Sequence, residues 1–385
     1  MLTGLLALEN VDWPKLHHAY GPASDTPQHL QALIGDDQEA RRAAVSHLGS
    51  AIMHQGTPWT ATGPVALVVA GFLLDEERSL DLTLQVDLMY FLVDVAEAAE
   101  SANRNKKELQ RMVQFDLTPF LESDDEYAMY EDEDAANAFY AQAGLGCIDA
   151  APVLSQVMRK EMDSEHARLR ALAAMGETIL AKLQPSDADK TEITSKLLAL
   201  ARAAHSPDER SAHVLSLGEV GYAPEDFLED PSPAVRMCAA LAPELATNPR
   251  AINELIDILE QNAGQVYNWF EERPPQFIFY PRFQIVRHLV AQVTDFNRLI
   301  KAAIAVVDIT EKSCVDFDWG PLLAAAFPDG DGAIKTKSQK RFLSALVEKT
   351  ELWDPLFGNA RTWFRAAGLP NDRHACAKLI AEANV

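Results

Sequence analysis

The sequence predicts an all-α protein assembled from a recurring capped helix. Alternating Val/Ile/Thr runs bounded by turn residues hardly occur, so little of the chain reads as strand. Alanine and leucine are abundant, and apolar residues recur at three- and four-residue spacing, the period of a helix face. A short segment also repeats. GDDQEARRAAVSHLG, MDSEHARLRALAAMG, AHSPDERSAHVLSLG and EDPSPAVRMCAALAP align on Arg41, Arg168, Arg210 and Arg236.

In chain order, the first copy opens at Asp37, four residues before Arg41. Asp81 and Asp134 open two weaker copies that keep the frame without the arginine. Ser164, Ser206 and Ser232 then stand four residues before Arg168, Arg210 and Arg236. These are helix N-cap residue types, whose side chains accept from an orphan N–H of the first turn. Pro207 and Pro233 follow two of the caps, at the position where a missing N–H costs nothing. Gly49, Gly176 and Gly218 lie eight residues after their arginines, where glycine permits close helix packing or marks a turn. The Arg236 copy has Pro243 near that place instead. The cap positions are separated by 44, 53, 30, 42 and 26 residues. Those intervals centre near the ~40–47 residues of helix-pair repeats.

The pattern D-x-x-x-R-x-x-A-x-x-x-L-G resembles the second helix of HEAT repeats. Asp12–Leu33, His54–Leu74 and Gln339–Leu379 are similar to segments of a bacterial family of large HEAT-like proteins. The resemblance implies a right-handed α-solenoid of helix pairs. It also implies kinship with immunity proteins encoded beside bacterial toxins. Two regions are expected: a repeat solenoid over 1–250 with an acidic insertion, and over 251–385 continuing repeats with an aromatic insertion and a basic C-terminal cap. Gly368 and Pro370 mark the end of a helix within that cap.

Composition narrows the function classes. With 48% apolar and 24% charged residues the chain has an ordinary globular balance, which excludes wholesale disorder. The net charge of -23 repels phosphate backbones, so nucleic acid is not expected as a partner and a basic protein is. Residues 335–385 carry +4, leaving -27 on the remainder. Cys147, Cys238, Cys314 and Cys376 form no CxxC pair and are expected to be buried, idle thiols. The apolar run Val65–Leu74 is too short to cross a bilayer, and no charged n-region precedes an apolar stretch near Met1. A cytoplasmic monomer is therefore expected.

No motif for catalysis stands out. GxSxG, the P-loop and GxGxxG are absent. His17 and His18 are adjacent and would point to different faces of a helix, which does not suit zinc. They and His54 are expected to bond backbone carbonyls at helix ends. The turn around Asp329–Ala333 lacks the terminal Glu of a calcium loop. No cofactor or metal is expected.

Two segments are candidates for partner binding. From Met112 to Met158 there are ten acids and no lysine or arginine. Within it Asp124, Asp125, Glu126, Glu131 and Asp132 flank Tyr127, Met129 and Tyr130. The segment is either a solvated loop with an N-cap at its end, which accounts poorly for Tyr127, Met129 and Tyr130, or an acidic arm that docks a basic protein, since tyrosine offers rigid contact area at an interface. The second candidate, Val266–Val290, concentrates aromatics, among them Trp269, Phe270 and Tyr280. Pro274, Pro275 and Pro281 break the helical pattern there. It is either a core-filling junction or a hydrophobic anchor. The expected function is a non-catalytic protein-interaction module, an immunity protein that neutralises a toxin. A generic scaffold, a DNA-repair glycosylase or a bilin-lyase-like enzyme are the alternatives. The glycosylase would need a basic concave face, which the charge opposes.

Overall fold

The computed structural model describes all residues except 122, 124–127, 184–185 and 355–357. The described residues form twenty α-helices joined by short 3₁₀ turns and a π turn at Leu48–Ile52. The strands among them belong to two antiparallel hairpins of two residues per arm, His17–His18 with Gly21–Pro22 and Met53–His54 with Thr57–Pro58. The all-α expectation holds. No described helix is long and apolar enough to cross a membrane. Val65–Leu74 lies instead in helix Thr62–Leu74, which is apolar on nearly every side and buried accordingly.

The chain divides into two compact units, Met1–Leu197 and Leu198–Val385. Residue 250 falls in the first turn of helix Pro249–Asn262, inside the second unit. In the first unit, helix Glu133–Glu161 packs against helices Thr62–Leu74, Leu82–Asn103 and Ala167–Leu180. In the second, helix Ile300–Ile309 packs between Pro249–Asn262 and Lys337–Glu348, and Lys337–Glu348 carries the terminal helix Arg373–Glu382. Helix Ala360–Ala366 ends at Gly368, whose φ of 69° is the left-handed conformation that closes a helix.

The repeated motif resolves into a specific bond. Asp37, Asp81 and Ser206 cap their helices as expected, and Ser232 occupies the N-cap position without a side-chain cap bond. Three of the four motif arginines reach back to the carbonyl six residues earlier: Arg41 to Gly35 at 2.6 Å, Arg210 to Ala204 at 2.9 Å, Arg236 to Asp230 at 2.9 Å. The bond ties the first helical turn to the loop that feeds it. The same guanidinium groups then meet an acid further along the chain: Asp81, Asp230 and Glu254 respectively.

Two assignments shift. In the Ser164 copy the N-cap is His166, and the arginine that bonds the carbonyl six residues back is Arg170, to Ser164 at 2.7 Å. Arg168 turns to Tyr90, lying over its ring and bonding its hydroxyl. Sequence alignment favoured Arg168 because it keeps the spacing to Gly176; the helix starts two residues later than that spacing implies. Likewise Asp132, not Asp134, caps helix Glu133–Glu161, accepting from Ala135 N–H at 2.9 Å. Gly176 and Gly218 do permit close packing. An added Cβ would come 2.6 Å from Met158 Sδ and 2.9 Å from Ala242 Cβ.

All four cysteines are buried and free. Burial pushes the Cys147 thiol up to about 12 and Cys376 up to about 11, so neither offers a thiolate near neutrality. In the Asp329–Ala333 turn, the Lys335 ammonium lies 2.8 Å from Asp329 and 2.6 Å from Asp331, where a cation would otherwise sit.

Candidate functional site

The second unit holds an open aromatic groove of about 500 Å³. One wall of it has a local origin. Pro274 and Pro275 prevent a helix from continuing past Phe270, and Pro281 starts the next one, Pro281–Gln292. The intervening segment is pinned by polar bonds. Glu272 N–H donates to Asp208 at 2.7 Å, and Gln276 Nε2 donates to Ala212 O at 3.1 Å and Ser216 Oγ at 3.0 Å. Phe277 turns inward, while Ile278 is 71% exposed and Phe279 61%.

Phe317, 45% exposed, enters from the loop before helix Trp319–Ala326. Its ring stacks on Phe283 at 5.0 Å and on Phe279 at 5.9 Å. Tyr280 meets Phe283 edge-on at 5.4 Å, and Trp363 completes the lining from helix Ala360–Ala366. Such offset and edge arrangements are the favoured ones for aromatic pairs, so the slab is self-supporting without being covered. Large contiguous apolar exposure of this kind is uncommon on a soluble protein and marks binding surfaces.

A buried ion pair underlies the slab. Arg282 Nη2 lies 3.1 Å from Asp318 Oδ2 and Nε 3.2 Å from Oδ1, and the Asp318 side chain has no solvent exposure. Thr310 donates a further bond to Asp318 at 2.8 Å. The guanidinium also packs 4.1 Å from the Tyr280 ring centre and 4.9 Å from that of Phe283. Burial raises the Asp318 carboxyl above its ordinary value; the Arg282 charge and the hydrogen bonds oppose that rise. The pair thus clamps helix Pro281–Gln292 to helix Trp319–Ala326 and fixes the rings above it.

Of the aromatic residues expected at a binding surface, Tyr280 lines the groove. Trp269 and Phe270 are half-buried beside it, Phe270 packing on Phe277 with ring centres 5.9 Å apart. Sequence reasoning missed Ile278 as an exposed residue, and it missed Phe317 and Trp363. Those two lie far from Val266–Val290 along the chain, and only the packing of three helices brings them in.

The acidic candidate divides. Asp124, Asp125, Glu126 and Tyr127 lie outside the described residues. Met129 is buried with Trp59, Ala135 and Phe139, so it is a core anchor and not a surface contact. Tyr130 is exposed, with its ring edge toward Phe139, and Glu131 is exposed. Asp132 is occupied as the N-cap described above.

The histidines gather in the first unit. His54 bonds the Ser50 carbonyl at 2.8 Å, as expected for a helix end. His17 and His18 lie on a strand pair and not on a helix, but they do face opposite ways: His17 onto Phe139, His18 onto Asp25. Among the described residues His18, Asp25 and His47 bring possible metal-ligating atoms within 4.8 Å of one another. Their hydrogen bonds argue against that role. Tyr20 N–H donates to His18 Nδ1 at 3.1 Å, which leaves the proton of neutral His18 on Nε2, 2.9 Å from Asp25. A metal-bound imidazole needs the opposite arrangement, donating from the nitrogen that does not hold the metal. His47 Nε2 is engaged by Thr26 Oγ1 at 3.0 Å.

The chain matches no known family model, no curated protein and no solved structure.

Proposed function

We propose that this protein is a non-catalytic protein-binding module of HEAT-like helix pairs, arranged as a right-handed α-solenoid, whose aromatic groove takes apolar side chains of a basic partner protein. The observation that carries the proposal is the groove itself: Ile278, Phe279 and Phe317 stay exposed although a buried ion pair is spent on holding the helices beneath them. Exposed, rigidly supported aromatics are typical binding anchors. The charge supports a basic partner. Residues 1–197 contain thirty-two acids against fifteen lysines and arginines, while 198–385 contain twenty-five against nineteen. Long-range attraction from the first unit would raise the encounter rate, and apolar burial in the second would slow release. A toxin neutralised by this chain is the partner class that the sequence resemblance favours.

A photo-crosslinking residue placed at position 279, with position 76 as control, tests this in cells that make the protein naturally. The expected result is a discrete adduct to one basic protein from position 279 and none from position 76. Equal labelling from both positions, or adducts to nucleic acid alone, would refute the proposal.

A further inference from the structure

The hairpin His17–Pro22 is held in place by a chain of imidazoles. His18 and His47 are 5% and 8% exposed, and their rings meet edge-on at 5.3 Å. His47 in turn stacks nearly parallel on His29 at 4.2 Å. One carboxylate, Asp25, faces the group through His18. Tyr20 and His54 close the outer side, their ring centres 5.7 Å apart. The groups acting electrostatically on His47 are His29, Asp25 and His18. Helix Thr62–Leu74, packed against helix Thr26–Leu33, carries no titratable side chain. Helix Gln38–His47, packed on helix Thr26–Leu33, carries Glu39, Arg41 and Arg42, with Arg41 held by Gly35 O and Asp81, and the turn Trp13–Lys15 beside the second strand adds the exposed pair Lys15–Asp12.

We propose that this hairpin is a proton-operated latch, shut while the His47 imidazole is neutral and released when it takes up a proton. His18 Nδ1 accepts from the Tyr20 N–H, so the ring that meets His47 edge-on is tied to the turn of the hairpin. A charge on His47 would sit in a mostly dry site 4.2 Å from the His29 ring centre and 5.3 Å from that of His18, with Asp25 the one carboxylate acting on it. The burial of His47 adds a consistent sign: desolvation holds its imidazole down to about 4. The hairpin's other ties are Ala19 N–H to Ala51 O, His17 N–H to Thr60 Oγ1 and Ala61 N–H to His17 O, with the His17 ring and Ala19 packed on the cluster around Phe139. Opening uncovers the buried faces of His18 and His47.

Amide hydrogen exchange, corrected for the intrinsic pH dependence of the chemistry, reads the latch directly. The reporters are the amides of Ala19 and Tyr20, with Leu154 in the core of helix Glu133–Glu161 as reference. Protection at Ala19 and Tyr20 should fall by up to about tenfold per pH unit below pH ~6.5, with Leu154 unchanged. In His29→Gln/His47→Gln that fall should shrink to about threefold or less. Single His29→Gln, at a half-buried site, serves if the double variant does not fold. A parallel loss at Leu154, or an unchanged pH slope in the variants, would overturn the proposal.

Discussion

Replacing Arg282 with methionine should cost about 3–5 kcal/mol, because it strands a fully buried carboxylate. Asp318 would keep the Thr310 bond but lose both guanidinium contacts, and the Tyr280 and Phe283 rings would lose the cation packed against them. For a unit the size of Leu198–Val385 that loss corresponds to a melting shift of roughly 6–20 °C. The deficit has a definite pH dependence. A lone buried Asp318 has a folded-state value raised further above its ordinary one. Its contribution is intact below the unfolded value of 3.8 and is lost as pH rises through the folded value. Arg282→Met should therefore look worse at pH 7.5 than at pH 5. Arg282→Met/Asp318→Asn removes the unpaired charge and should recover more than half of the loss, since exchanging both partners of a buried pair is far cheaper than removing one. Urea and thermal unfolding of the wild type, both single variants and the double variant measure this. A melting point for Arg282→Met within about 1 °C of wild type, or a double variant no better than the single one, would show that the pair does not clamp the groove.

Four further outcomes follow from particular contacts. Arg170→Ala should destabilise by about 1.5–3 kcal/mol in urea unfolding, through loss of a charge-assisted bond to the Ser164 carbonyl; an unchanged midpoint would remove the motif's structural role. Asp132→Ala should cost about 1 kcal/mol as an N-cap loss, whereas Glu131→Gln should change stability by less than about 0.5 kcal/mol, measured the same way. His47 is held neutral by burial, so stability should be full above pH ~6.5 and fall toward pH 4, by at most about 3 kcal/mol. His47→Gln should flatten that dependence in a pH series of urea midpoints. Phe279→Asp should leave the melting point within about 2 °C of wild type but lower the fluorescence of an apolar dye bound to the groove; an unchanged dye signal would place the dye, and the exposed apolar surface, elsewhere.

How far the sequence could be read depended on the range of each interaction. The caps at Asp37, Asp81 and Ser206 were legible because a cap is made by one side chain and amides two or three residues away. The errors at Asp134 and Ser164 arose where two cap-type residues or two arginines stand within a turn of each other. Local pattern then leaves a two-residue slip undecided, and packing chose Asp132 and Arg170. Met129 reads like an interface residue amid acids, yet its place in a core cluster depends on Trp59 and Phe139 arriving from other elements.

The sequence by itself determined the class of element and the end of each helix that carries a clear cap, together with the idle cysteines, the acid excess and the break in helix at Pro274–Pro281. All of these are set by neighbours within about a turn or by composition. Tertiary structure alone decided which aromatics form a surface. Phe279, Phe283, Phe317 and Trp363 become a groove because Arg282 reaches Asp318 across thirty-six residues. It also decided that His18, His29 and His47 touch. The physical reason is common to both: burial and ring packing depend on which helix faces meet, and no single helix's periodicity specifies the face that arrives opposite it.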